Sequence, residues 1–183
     1  YVLAQLKPLL ESNDKKFIGQ NIKFDKNVLS KYGVDISSIK NDTMMMSYVL
    51  DASATRHNLD ALASFYLGYK TSTFEEVAGK GVKQVTFDQV PIEAATNYAA
   101  EDADITLRLY DELSPKLESI DSLNKLNEEI EIPLIEVLSN MERNGAILNA
   151  KILNAQSKDL ESRIKKLEKK AYKIAGEEFN LGS

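Results

Sequence analysis

Two aspartates stand where an amphipathic helix should carry apolar side chains. After Pro91 one helical face reads Ala95, Tyr98, Asp102, Ile105, Leu109 and Leu113, while the opposite face carries Glu93, Asn97, Glu101, Asp104, Arg108 and Asp111. The polar face has ample room for acids, so Asp104 reads as a solvated surface charge and Asp102 falls on the dry side. A carboxylate buried without compensation is costly. Asp102 must therefore be protonated, paired or bound to a cation, and a structural aspartate held by a backbone donor or a lysine is the alternative to a metal ligand. The segment from Asn21 repeats the pattern, with Ile22, Asp25, Leu29 and Tyr32 at steps of three, four and three. Two acids converging on a dry cleft suit a hard divalent ion such as Mg²⁺, which prefers oxygen ligands. Tyr98, one turn before Asp102, shares its face. The chain has no Cys and a single His, which leaves no ligand set for zinc. That His57, next to Arg56 and just before a helix cap, reads as a surface or hinge residue rather than a base.

The elements that must position these residues alternate between helix and strand. Val2, Leu3, Leu6, Leu9 and Leu10 recur at helical spacing, and Lys15 to Gln20 reads as a short strand. The helix bearing Asp25 runs from about Asn21 to Lys31 and stops at Gly33. A second strand around Lys40 to Thr43 precedes a helix through Met44, Met45, Tyr48 and Leu50. Asn58 caps a helix that carries Leu59, Leu62 and Phe65 and ends near Gly68. Thr73 and Glu76 have the spacing of a capping box, and Gly79-Lys80-Gly81 beyond them predicts a mobile loop. Pro91 suits the first turn of a long helix to Leu117. Past it the pattern is wholly helical, with one helix over Leu126 to Asn144 closed by Gly145. Another starts at Asn149 and runs to about Ile174. In that last helix Leu153, Leu160, Ile164, Leu167, Ala171 and Ile174 form a seam that calls for an antiparallel partner. A domain boundary is expected near residue 118.

Composition sets the broad class. With 183 residues, 43% hydrophobic and 28% charged, the chain has the make-up of one globular domain and part of another. The lack of Cys fits a reducing compartment, so a cytoplasmic location is expected. No apolar run reaches bilayer length, and the start has no signal-peptide pattern. The chain opens at Tyr1 without an initiator Met, which reads as a segment of a longer protein. A net charge of −5 argues against nucleic acid as a partner. Its distribution softens that argument: residues 1–118 hold 13 Lys/Arg against 17 Asp/Glu, whereas Lys151 to Lys173 hold 8 against 3.

The sequences Gly19-Gln20-Asn21-Ile22-Lys23-Phe24-Asp25 and Tyr98-Ala99-Ala100-Glu101-Asp102-Ala103-Asp104 resemble the second and third exonuclease motifs of family-A bacterial DNA polymerases. Asp42-Thr43-Met44, Arg56-His57-Asn58-Leu59-Asp60, Thr73 to Gly81, Glu142-Arg143-Asn144-Gly145 and Ala175 to Asn180 also look like that family, so the resemblance covers nearly the whole chain. It implies an α/β, ribonuclease-H-like 3′→5′ proofreading exonuclease domain over residues 1–118, N-terminally truncated, and an all-α start of the polymerase thumb over residues 119–183. The activities implied are DNA synthesis in replication and repair, with editing of the primer 3′ end. By the same resemblance Asp102 and Asp25 match ligands of a two-ion Mg²⁺ or Mn²⁺ site, and Tyr98 matches the residue that orients the attacking water. Gln20 and Asn21 match positions beside the terminal nucleotide, and Arg56 and Phe74 match residues that hold the frayed single strand. The partner implied is DNA, single-stranded at the exonuclease site and duplex at the thumb, with no membrane and a monomeric chain. Phe74 has a second reading as a hydrophobic staple and Arg56 as a surface charge. Phe24 replaces the tyrosine often found before the second-motif aspartate.

The family's first motif, an Asp-x-Glu on a strand upstream of Asp25, is absent. The one Asp-x-Glu, Asp159-Leu160-Glu161, lies in the basic helix and reads as an exposed face. The metal site of this segment is therefore expected to be incomplete and the segment alone a poor nuclease. The rivals are a ribonuclease-D-like RNA exonuclease, which shares the tyrosine-type third motif but not the thumb-like tail, and a catalytically silent exonuclease-like scaffold. The basic helix is either a solvated face or a contact for duplex phosphates.

Overall fold

The computed structural model describes residues 1–182. Two units emerge, Tyr1–Asn144 and the residues from Gly145 onward. In the first, helix α1 (Val2–Leu10) leads into strand β1 (Phe17–Gly19), helix α2 (Ile22–Ser30) and strand β2 (Ile39–Asp42). The strands pair in parallel, with Gly19 opposite Asp42, so β1, α2 and β2 form a βαβ crossover. The chain continues through α3 (Thr43–Leu50), α4 (Leu59–Leu67) and α5 (Phe74–Ala78), two short 3₁₀ turns, and the long α6 (Ile92–Glu118). Helices α7 (Asp121–Leu126) and α8 (Ile132–Asn144) complete the unit.

The core follows from the helical stripe in α6. Ile105, Leu109, Leu113 and Leu117 recur every fourth residue, are at most 1% exposed, and pack on Met46 of α3 and on Leu62 and Ala63 of α4. Burying a side chain of this size contributes about 1.5–3 kcal/mol each, which fixes α6 against the α3–α4 pair. A smaller cluster of Ile22, Ile36 and Ile135 joins α2 to α8. Sequence caps end these helices as anticipated. Asn58 accepts from Ala61 N–H at the start of α4, and Thr73 and Glu76 form the reciprocal capping box of α5.

Two details depart from the sequence reading. Pro91 is the N-cap of α6, just outside its first turn. The helix expected over Leu126 to Asn144 is interrupted by a π-helical turn at Asn127–Glu131. Pro133 has no N–H to return to the carbonyl four residues back, and the ladder widens there. Across the Gly79-Lys80-Gly81 loop Val85 N–H donates to the Ala78 carbonyl at 2.9 Å, and the exposed Lys80 pairs with Glu75 at 3.1 Å.

Helix α2 faces the core differently from its expected stripe. Ile22 is 4% exposed and Lys26 1%, whereas Tyr32 beyond the helix is 68% exposed and Asp25 is exposed too. The inward line is thus Ile22, Lys26 and Leu29. The Lys26 ammonium is satisfied by Asp35 at 2.6 Å, Glu136 at 2.9 Å and the Ile36 carbonyl at 3.0 Å. Asn27 accepts from the buried Ser139 hydroxyl at 2.6 Å, and Lys23 pairs with Glu142. Helix α8 is therefore stitched to α2 by polar contacts, so the stretch after residue 118 packs as part of the first unit as far as Asn144.

The second unit is dominated by α9 (Ala150–Ala175), capped by the Asn149 side chain and closed by Gly176 at φ 81°. Its seam residues Leu153, Leu160, Ile164, Leu167 and Ile174 are all at least 50% exposed, and the described residues of this unit supply no partner helix.

Gly19 marks the closest approach between β1 and α2, since a Cβ there would lie 2.5 Å from Ile22 Cβ. Because Ile22 is locked in the core, Gly19→Ala must displace α2. The expected loss, measured by urea denaturation, is about 1–3 kcal/mol, and an unchanged midpoint would contradict this packing.

Candidate functional site

A cavity of about 650 Å³ opens between the end of β1, α2 and the first half of α6. Its wall includes Gly19, Gln20, Asp25, Leu59, Asp102 and Thr106. Asp25 and Asp102, far apart in sequence, thus face one space. The βαβ crossover puts Asp25 in the first turn of α2, and the buried stripe of α6 fixes the rotation that turns Asp102 toward it. Asp102 is only half-buried, because the packed part of α6 begins at Ile105. The expected dry face wets toward the N-terminal end of the helix, where the cavity lies.

Both acids are held above the ordinary aspartate range. For Asp102 burial is the main cause, followed by the charges of Asp60 and Glu101. Asp25 keeps one side open to solvent, yet burial by the cavity wall still dominates, opposed by a backbone hydrogen bond and reinforced by Asp42. Like charges gathered in a poorly hydrated space favour protons or cations. The donors here are all oxygens, which fits a hard divalent ion. Among the described residues no group of three or more His, Cys, Asp or Glu side chains could hold a metal ion.

Tyr98 is half-buried, and its hydroxyl is pushed upward by burial first and by the charges of Asp102, Asp60 and Glu101 after it. It remains a neutral phenol, able to donate and accept a hydrogen bond. Its ring sits 6.5 Å from that of Phe74 and 5.9 Å from that of Phe87, and the two Phe rings are 6.2 Å apart. Phe74 and Phe87 are 38% and 42% exposed, so the cluster has an open face as well as a contact with Tyr98. Edge-to-face and tilted pairs of this kind hold ring orientation. Phe87 was missed at the sequence level, because an isolated aromatic in a loop carries no periodic signal.

The remaining site residues divide. The Gln20 amide is engaged by the protein, donating to the His57 carbonyl at 2.8 Å and accepting from Thr43 Oγ1. Asn21 adopts the left-handed conformation at φ 59°, the one described non-glycine residue to do so. Arg56 is exposed and does not line the cavity. His57 is anchored: its Nε2 lies 3.2 Å from the Ala52 carbonyl and its Nδ1 3.1 Å from Ser47 Oγ. The carbonyl requires a proton on Nε2. Glu101 caps the opposite side of α6, accepting from Tyr69 Oη and Ser72 N–H, both at 2.8 Å.

With this geometry in place, comparison with known proteins is direct. Residues 1–118 match a family model of the DNA polymerase A class described as 3′-5′ exonuclease. The chain is 53% identical over its whole length to DNA polymerase I of Pseudomonas aeruginosa, covering 20% of that protein. It is 43% identical to DNA polymerase I of Rhizobium leguminosarum, covering 99% of this chain and 18% of that one. For Treponema pallidum DNA polymerase I the identity is 38%, with 100% and 18% covered. The chain thus spans about a fifth of the length of these relatives. Its fold is similar to the POL domain of Pol1 from M. smegmatis, solved with DNA primer-template and dNTP, with a TM-score of 0.72 at 23% identity, over 98% of this chain and 28% of that one.

The raised pKa values make a stability prediction. An acid with a folded pKa above its unfolded one opposes folding once both forms are ionised. Its cost is absent below the ordinary aspartate pKa, grows as pH rises through the folded value, and is complete at neutrality. The Asp25→Asn/Asp102→Asn double variant should therefore melt higher than the unsubstituted chain at pH 7 in EDTA, with the gap closing near pH 3. A lower melting temperature at pH 7 would refute the assigned direction.

Proposed function

The chain belongs to the 3′-5′ exonuclease family of family-A DNA polymerases, and on that premise we propose that residues 1–118 edit the 3′ end of a DNA strand while residues 119–183 begin the polymerase region. The observation that carries this is the convergence of Asp25 and Asp102 on one cavity with Tyr98 a turn away. A bound pair of Mg²⁺ or Mn²⁺ ions would supply an activated water and neutralise charge at the leaving 3′ oxygen. Asp102 and Asp25 would hold those ions through oxygen. The Tyr98 hydroxyl, kept neutral, orients the attacking water by a hydrogen bond. Phe74 and Phe87 present ring faces and edges on which an unpaired terminal base can stack, a contact worth about 1–3 kcal/mol per base. Gln20, which lines the cavity, and Asn21 next to it would contact the terminal nucleotide, and Arg56 would meet a phosphate further along the strand.

In this reading the remaining carboxylates of the site come from a strand preceding Tyr1. The segment alone should then degrade single-stranded DNA slowly or not at all in Mg²⁺ or Mn²⁺, and the full-length gene product should digest it 3′→5′. Asp102→Ala should abolish that digestion in the full-length protein. Robust digestion by the segment, lost on Asp102→Ala, would show that its own residues complete the site. A full-length protein without nuclease activity would leave the scaffold reading standing, and preference for RNA would favour the ribonuclease-D-like one.

The eight basic residues between Lys151 and Lys173 support duplex contact by α9. Affinity of the full-length protein for duplex DNA should fall steeply with salt, and neutralising Lys165, Lys166 and Lys169 together should reduce the slope of log K against log salt by about 3. An unchanged slope would remove α9 from the interface.

A further inference from the structure

Asp42, the last residue of β2, is 1% exposed and pairs with no cation. Its carboxylate is satisfied by backbone alone. Oδ2 accepts from Ile22 N–H at 2.7 Å, and Oδ1 accepts from Asn21 N–H at 3.1 Å, Met44 N–H at 2.9 Å and Met45 N–H at 3.4 Å. Two helix N-termini thus share one acid: α3 as an ordinary N-cap, and α2 through a residue twenty positions downstream of it. Helix α2 has no cap of its own, since the Asn21 side chain makes no capping bond and its backbone is left-handed. Asn visits this region more readily than most non-glycine residues, and here its neighbours fix it there. Asp42 holds it, accepting from the N–H groups on either side of the Asn21 Cα, that of Asn21 itself and that of Ile22.

We propose that Asp42 is a positioning residue of the exonuclease site, setting the start of α2 so that Asp25 faces the cavity. The inference rests on the exonuclease reading of that cavity. Asp42 touches neither substrate nor ion. It acts through the first turn of α2, where Asp25 lies three residues past Ile22. Oδ1 is shared by Asn21, Met44 and Met45, whereas Oδ2 serves Ile22 N–H alone, so substitutions can remove the Ile22 contact and keep the α3 cap. Asparagine with its oxygen toward Met44 keeps the α3 cap and turns an NH₂ group against the Ile22 N–H, donor against donor. Serine likewise caps α3 and leaves α2 without an acceptor, both being good N-cap residues.

The test measures 3′→5′ digestion of a single-stranded oligonucleotide in Mg²⁺ by the full-length gene product, comparing Asp42→Asn, Asp42→Ser and Asp102→Ala. Misplacement of a reacting group by an ångström can cost about a hundredfold, so kcat should fall about ten- to a hundredfold for both Asp42 variants. KM for DNA should stay within about twofold, and the Mg²⁺ concentration for half-maximal rate should rise, since the ligand and not the strand is displaced. A rate within twofold of the parent in either variant, with Asp102→Ala inactive, overturns the proposal. So does melting of both variants below the assay temperature, which would make Asp42 a stability residue. If the unsubstituted protein is inactive or Asp102→Ala leaves its rate intact, the exonuclease reading itself has failed and this inference falls with it.

Discussion

The Asp42 carboxylate ties together the parts on which the site depends. A charge this deep is costly without partners, and four backbone N–H groups meet it. They belong to the starts of α2 and α3, so the strand they flank cannot shift without exposing donors on both helices. Gly19 lies opposite Asp42 in the sheet register, and its missing side chain lets Ile22 pack directly against β1. The carboxylate and the bare glycine thus act on the same junction from two sides. One draws the α2 terminus in, and the other leaves room for it.

From that junction the cavity follows. Helix α2 is gripped on its inner side by Lys26 and along α8 by Asn27 and Lys23, which leaves Asp25 on the face turned to the opening. Helix α6 is fixed by its leucine stripe, and Asp102 emerges one turn before that stripe begins. The acids are thus held in place by neighbours rather than by each other. The protein accepts the cost of two carboxylates held above their ordinary pKa values, with Asp60 and Glu101 adding to it at Asp102. Sites built to bind cations or developing charge commonly oppose stability in this way.

The aromatic cluster extends the same logic. Tyr98 lies one turn from Asp102 and against two partly exposed Phe rings, so a base stacked on Phe74 or Phe87 would also restrain the phenol beside that acid. In the exonuclease proposed here, substrate contact and water orientation would share one rigid surface. Glu101, on the far side of α6, anchors that helix to Tyr69 and Ser72.

The sequence by itself determined the order of helices and strands, the Thr73–Glu76 and Asn58 caps, and the pairing of Tyr98 with Asp102, because each is a local pattern read within a turn or two of chain. Its motifs also singled out Asp25 and Asp102. Only the tertiary structure decided that α2 turns Lys26 inward and Asp25 outward. Both follow Ile22 by about one turn, Asp25 at i+3 and Lys26 at i+4, so spacing alone does not choose between them, and the choice depends on Asp35 and Glu136 waiting to neutralise the lysine. Tertiary packing alone also assigned Asp42 its shared duty and brought Phe87 onto Tyr98. An acceptor serving a helix earlier in the chain, or a ring met across a loop, leaves no periodic trace in the residues around it.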